Sequence, residues 1–541
     1  MGKRSLVVLA IVAALVLGGC GGSSNHAGGT KANKVTTSTE GKPVPGGDLA
    51  IGLGAETDGW NPTSDQWSGD SYYVAQTIFD PIAAYNSAGV VEPYLAKSLT
   101  HNANYTVWTI GLRSGIKFQN GQALNAAAVA LQLNMCKSSL LVSQAVIPMR
   151  NAVVVNNLTV QVNMNTSWAA FPAVMAAQPG FIAAPAQLKA ASPANSDDPI
   201  GTGPFSFVSW QQNSALVVKK NPNYWRTGEP YVNQITFDVI VEPTTSLDEL
   251  ESGEIQFMAT AEASQIKSPP SGFDEQITYP QAPTFVMLNT AEAPLNNLDL
   301  RLALEYATNQ QSILQSIDLG LGSVATEPYG PTSPWYVPSG YPTKPNLTKA
   351  KQYLDDYLAQ THTKLPVKFT LGCTNESTNQ QAMLLLQAQW QAIGIDVNPT
   401  STEEATFIDD AVVGGYQADC WAQFGEVDPD LDATWWWSAN AHPVGSIALN
   451  FARLKDATTD HYLTLGEATT NMAQRKADYG QVWKQFAAQA PYIWLGRGPV
   501  ALLWSPKVHG VGDGTLPNGQ AAYPDVKAGV VTPIDQLWLS S

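Results

Sequence analysis

Leu365-Pro-Val-Lys-Phe-Thr-Leu371 opens the stretch that decides the fold. It alternates apolar and polar residues and reads as a strand. A helix is predicted next over Asn379 to Ile393, then a short strand Ile395-Asp-Val-Asn398. A second helix over Thr402 to Val413 leads into a strand over Ala418 to Gln423. Strand, helix, strand, helix, strand in that order implies an α/β unit with a partly parallel sheet, because parallel neighbours need a crossover connection.

The same reading extends outward. Upstream, Leu300 to Ile317 carries apolar residues at helical spacing, with Asp299 as a plausible cap, and Leu347 to Leu358 reads as another helix. Downstream, Asn471 to Gln489 is helical with Trp483 and Phe486 on one face, and Pro491-Tyr-Ile-Trp-Leu495 returns as a strand. In the first half, Gly47 to Leu53, Tyr105 to Leu112 and Leu158 to Met164 alternate as strands. Asp70 to Phe79 fits a helix ended by Pro81, and Ala126 to Met135 fits another. There is no short internal repeat, which argues against solenoids and propellers.

The chain has 541 residues, 44% of them hydrophobic and 14% charged, the balance of a folded globular protein. A formal net charge of -16 argues against nucleic acid, whose phosphates would be repelled. The 16 tryptophans can fill cores or line a concave ligand site. The four cysteines form no CxxC pair, and the histidines form no HExxH. No GxSxG elbow and no GxxxxGK[ST] phosphate loop occurs.

Lys3 and Arg4 precede an apolar run from Leu6 to Leu17, which ends in Leu17-Gly18-Gly19-Cys20. The run is short for a spanning helix, which needs about 20 residues. A positive flank, an apolar stretch and small residues describe a secretory signal. Small residues directly before a cysteine resemble a lipoprotein signal over 1–19, in which Cys20 is acylated. An ordinary signal peptide with an incidental cysteine is the alternative. Residues Gly21 to Gly46 are rich in Gly, Ser, Thr, Asn and Lys and read as a tether.

Five stretches then fall into register with one family. They are Arg113-Ser-Gly-Ile-Lys-Phe-Gln-Asn-Gly121 preceded by Leu95-Ala-Lys-Ser-Leu99; Gly201-Thr-Gly-Pro-Phe205 followed by Asn221-Pro-Asn-Tyr-Trp225; Asn289-Thr290 with Pro294, Arg301, Ala303 and Ala307; Ile393-Gly-Ile-Asp-Val397; and Asp428-Pro429 with Ala490-Pro-Tyr-Ile493. Alone, Gly201 to Phe205 is most simply a turn. Together these stretches resemble the extracellular solute-binding proteins of the peptide/nickel class, family 5, over roughly Gly47 to Val511.

The resemblance implies an α/β, two-lobe type II periplasmic-binding-protein fold with an extra subdomain on lobe I. Lobe I would span 47–287, with the subdomain at about 85–199. Lobe II would span 288–499, and 500–541 would return to lobe I. It implies no enzyme and no cofactor: an extracytoplasmic component of an ABC importer, monomeric and membrane-anchored through its lipid, whose lobes close over a small peptide. A nickel chelate, haem or an oligosaccharide is the alternative cargo. A secreted hydrolase is the alternative from another class.

Positions matching the family's cleft are Gln66, Trp67 and Ser68 in the first lobe, Asn289 near the hinge, and Trp421, Gln423, Phe424, Glu426 and Asp428 in the second. The chain departs from the family at one telling place. Peptide binders carry an aspartate three residues before the acidic residue of the acidic-Pro pair, and it receives the peptide's α-amino group. Here that position is Gly425, beside Glu426. Either Glu426 takes over the role or the ligand offers no amine there.

Asp428, Asp430 and Asp432 alternate as in a calcium loop, but Ala433 and Ala439 stand where such a loop needs Gly and Glu. Cys373 and Cys420 lie near the ends of two strands that the topology can set side by side. A disulfide is expected if their Cα atoms come within about 7 Å, and Cys136 would then be a buried free thiol.

Overall fold

The computed structural model describes residues 34–35, 41–67, 69–523 and 533–540. Cys20, the signal segment, most of the tether and Ser68 lie outside the described residues. Two large sheets organise the rest. The first has eight strands in the spatial order 34–35, 274–278, 500–504, 257–260, 48–53, 234–239, 215–220 and 205–211. The second has six, in the order 323–324, 492–497, 284–288, 418–422, 367–374 and 395–402. A separate four-stranded antiparallel sheet, 96–101, 107–112, 159–164 and 149–156, is covered by the helix Ala126–Ser138.

The second sheet contains the stretch that opened the sequence reading. Val367–Thr374 pairs in parallel with both Ile395–Thr402 and Ala418–Ala422, and the antiparallel strand Thr284–Leu288 follows. Helices Ser377–Gln391 and Glu404–Val413 make the crossovers. Thr284–Leu288 is central and apolar because both its faces are covered. Val286 and Leu288 enter one core, while Phe285 and Met287 enter the other. Cys373 and Cys420 are joined at a Cα separation of 4.8 Å. Cys136 is a free, buried thiol.

Two expectations fail locally. The helix predicted over Leu300 to Ile317 is two helices, Leu298–Ala307 and Gln310–Ile317. The break at Thr308 and Asn309 is held from a distance: Trp390 Nε1 donates to Thr308 Oγ1 at 3.0 Å, and Asn309 N donates to Gln389 Oε1 at 2.6 Å. The cap of the first helix is Asn297, whose side chain accepts from the N–H groups of Asp299 and Leu300.

The stretches 201–205 and 221–225 meet at one buried carboxylate. Asp80 accepts from Thr202 Oγ1 at 2.7 Å, Trp225 Nε1 at 2.9 Å and Tyr224 Oη at 3.1 Å. Gly203 is required by close approach: a Cβ there would lie 2.6 Å from the carbonyl carbon of Ile78.

The chain crosses between the large sheets twice, at 279–283 and again at 498–499. Arg497 fastens the two crossings together by donating from Nε to the Gln281 carbonyl at 2.8 Å. Each large sheet with its helices forms one lobe, and the small sheet is attached to the first.

Candidate functional site

The lobes close on one another along a seam with two parts. The outer part is a latch between the small-sheet subdomain and the second lobe. The Gln144 carbonyl accepts from Thr434 Oγ1 at 2.9 Å and Asn440 Nδ2 at 3.2 Å, while its side-chain oxygen accepts from Leu449 N at 2.8 Å. Trp168 Nε1 donates to Asp430 Oδ2 at 2.8 Å, and Ala169 N donates to the Glu467 carbonyl at 2.8 Å. Opening the lobes would break these bonds and expose the groups to water, although Asn440 Nδ2 would keep the Thr434 carbonyl, to which it also donates at 2.6 Å.

The inner part faces the hinge and holds the candidate ligand residues. In the first lobe, the loop after the strand Asp48–Leu53 carries Asp58, Gln66 and Trp67. Gln66 reaches across: its Nε2 donates to Asp409 Oδ1 at 3.2 Å. Trp67 is half-buried, donates to the Gly59 carbonyl at 3.2 Å and meets Tyr72 edge-on with centroids 5.8 Å apart. Tyr72 is half-buried as well, and the charge of Glu426 from the opposite lobe adds to burial in raising its pKa. The small buried cluster of Tyr85, Ala173 and Ala176 packs against Val427 and Leu431 across the seam.

In the second lobe, Trp421 stacks on Phe407 at 5.4 Å and meets Phe451 edge-on at 5.4 Å. Its Nε1 donates to Gln423 Oε1 at 2.9 Å, which fixes the indole plane. Trp421, Gln423 and Glu426 are all half-buried. Gly425 has φ +80°, and a Cβ at that position would lie 2.5 Å from the Gln281 carbonyl carbon and 2.6 Å from Ala282 N. Only glycine fits there.

Three expected site residues have other duties. Asn289 is fully buried, and its Nδ2 donates to the carbonyls of Gly414 and Tyr416 at 3.2 and 3.0 Å while its Oδ1 accepts from Ala291 N. Phe424 is buried against Phe285, with the rings 5.1 Å apart and nearly parallel. Asp428 forms a two-point ion pair with Arg475, at 2.7 and 2.6 Å, and caps the short helix Pro429–Ala433. Packing and hydrogen bonding within the chain thus occupy Asn289, Phe424 and Asp428.

The alternating aspartates are similarly committed. Asp430 holds Trp168, and Asp432 accepts from Tyr329 Oη at 2.7 Å and from Gly425 N at 3.0 Å. No group of histidine, cysteine, aspartate and glutamate suited to a metal ion occurs among the described residues. Tyr72, Asp58, Asp409 and Tyr85 escaped the sequence reading. Their one advance signal is the lack of lysine and arginine in the chain around them.

Two lobes, a double crossing and a ligand seam between them define a solute-binding architecture. The family model described as bacterial extracellular solute-binding proteins, family 5, middle, matches residues 90–444. The chain belongs to this family, and its fold is the two-lobe type II periplasmic-binding-protein fold with an added subdomain on the first lobe. It is 28% identical over 358 residues to the nickel-binding periplasmic protein of Escherichia coli (strain K12), which covers 62% of this chain and 67% of that one. It is 27% identical over 549 residues to heme-binding protein A of Haemophilus influenzae, which covers 94% and 96%. The oligopeptide-binding protein AppA of Bacillus subtilis, solved with a nonapeptide, superposes with a TM-score of 0.80 at 18% identity, over 92% of this chain and all of that one. No helix among the described residues is long and apolar enough to cross a membrane.

Proposed function

We propose that this protein captures a small peptide outside the cytoplasm by lobe closure and delivers it to the permease of an ABC importer, without chemical turnover. One observation carries the reading. Gln66 of the first lobe reaches Asp409 of the second, Glu426 acts on Tyr72 from the opposite lobe, and Trp67, Trp421 and Gln423 stay half-buried, while Asn289 and Phe424 are drawn into the lobe interior. A few polar groups beside aromatic faces, between bodies that can part, suit a ligand bound with modest demands on its side chains. The peptide-bound AppA, similar in fold, supports the peptide reading. The nickel and haem relatives show that cargo varies within the family.

The proposed lobes span about 47–287 and 288–499, with 85–199 as the added subdomain and 500–541 returning to the first lobe. Acylated Cys20 would hold a monomer at the cell membrane through the tether over 20–46. Native mass spectrometry of the purified protein, followed by titration calorimetry with a di- to pentapeptide pool, tests the function. A co-purifying peptide mass, or heat without product formation, is expected. A chain that carries no small molecule and gives no heat with the pool would overturn it.

A further inference from the structure

The latch between the added subdomain and the second lobe encloses more negative charge than it neutralises. Asp428 and Asp430 stand at the start of the short helix Pro429–Ala433, and Glu467 ends the helix Ala457–Glu467. Asp430 is 7% exposed and Glu467 5%. Arg475 is the cation set among them. Its two terminal nitrogens go to Asp428, at 2.7 and 2.6 Å, and its Nε goes to the Gly466 carbonyl at 2.9 Å.

The subdomain seals this group from the other side. Trp168 is fully buried over Asp430 and donates to it, while Ala169 N donates to the Glu467 carbonyl. Next to them, Ser167 Oγ donates to the Ala468 carbonyl at 3.3 Å, and Tyr105 Oη meets Thr470 Oγ1 at 3.2 Å. Leu431 packs against the core of the first lobe. When the lobes part, Tyr105 and residues 167–169 leave together, and water reaches both carboxyls.

The groups that face Asp430 come from both lobes. Asp428 precedes its own helix, Arg475 and Tyr479 project from the helix Met472–Gln489, and Glu467 lies beside it. Trp168 and Tyr85 face it from the first lobe. Glu467 feels the charge of Asp430, and no basic side chain among the described residues acts on it. His101 lies against the Tyr105 ring at 4.4 Å but is exposed, where water and salt screen its charge. Burial and then Asp430 push the Glu467 carboxyl up to about 9. Burial and then Asp428 push Asp430 up to about 6, against Arg475, Trp168 and Tyr479. Two neighbouring carboxylates kept from water, with the adjacent cation engaged elsewhere, do not both stay charged.

We propose that lobe closure takes up a proton onto the Asp430 and Glu467 pair, so that acid favours the closed, solute-holding form and rising pH opens it. The proposal rests on the lobe-closure reading above and not on which solute is held. An acid whose pKa is raised by closure favours the closed form fully below its ordinary value and loses that effect as pH climbs to the raised one. For Glu467 this window runs from 4.5 to about 9 and includes neutrality. Within it, one proton taken up changes the ratio of closed to open by about tenfold per pH unit.

Solution scattering from the full chain without solute, in steps from about pH 5.5 to 8.5, tests this. The compact form should dominate at the acid end and give way to a wider one, with the closed-to-open ratio falling about tenfold per pH unit around neutrality. Far-ultraviolet circular dichroism should stay constant, which separates opening from unfolding. Glu467→Gln, neutral throughout, should hold the ratio within about twofold over the same range. Glu467→Asp keeps a carboxyl and should keep the response. Should Glu467→Gln not fold, Glu467→Met carries the same test with an uncharged side chain of similar length. A wild-type radius that does not change with pH, expansion on acidification, or the full wild-type response in a neutral variant would overturn the proposal. Each of these results leaves the solute-binding reading standing, since no solute enters the experiment.

Discussion

The indole Nε1 of Trp168 donates to Oδ2 of Asp430 at 2.8 Å, although 262 residues separate the two in sequence. The bond joins the added subdomain to the second lobe without passing through the hinge. With the Gln144 contacts it makes closure a matter of two surfaces, the ligand seam and the latch outside it.

Replacing Gln144 with alanine removes the side-chain acceptor for Leu449 N and leaves that buried donor without its partner. The closed state should lose about 2 kcal/mol. Solution scattering should show a larger radius of gyration for the unliganded variant, with peptide restoring the compact value. An unchanged radius would mean that the latch adds nothing to closure.

Stability should also fall as pH rises. Burial, and then the charge of Asp430, push the Glu467 carboxyl from 4.5 up to about 9. Burial and then Asp428 push Asp430 up to about 6, with Arg475, Trp168 and Tyr479 opposing. An acid whose pKa is raised by folding contributes its full stability below its ordinary value and loses it progressively as pH approaches the raised one. The melting temperature should therefore decline between pH 5 and 9, and Glu467→Gln should flatten the decline. The same slope in wild type and variant would remove Glu467 from the explanation.

Trp225→Phe deletes one of the three donors to Asp80. Asp80 is buried, and its carboxyl is raised to about 6 chiefly by that burial. The cost should be about 1–3 kcal/mol, read as a lower denaturation midpoint. Solute affinity should hold, since the site lies in the first-lobe interior. A loss of affinity without loss of stability would contradict this placement.

The bond between Cys373 and Cys420 closes a loop with a sequence separation of 47 inside the second lobe. The chain-entropy argument gives it about 4 kcal/mol. Calorimetry with and without a reductant should shift the unfolding of the second lobe and leave the first lobe's transition in place. A uniform shift of all transitions would show that the lobes unfold as one unit.

The second-lobe sheet was legible from the chain because each of its strands and helices carries its own period. The break at Thr308 was not, since Gln389 and Trp390 impose it from about eighty residues away. Long-range packing likewise decided the candidate site. Asn289 and Phe424 lie in the right stretches, but Gly414, Tyr416 and Phe285 occupy their side chains.

Gly425 limits how this binding surface can evolve. Any replacement there would have to displace the backbone at Gln281 and Ala282, inside the first crossing between lobes, before its side chain could touch a solute. Changes of cargo along this lineage are therefore channelled to positions such as Glu426 and Gln423, which can mutate without disturbing the pivot.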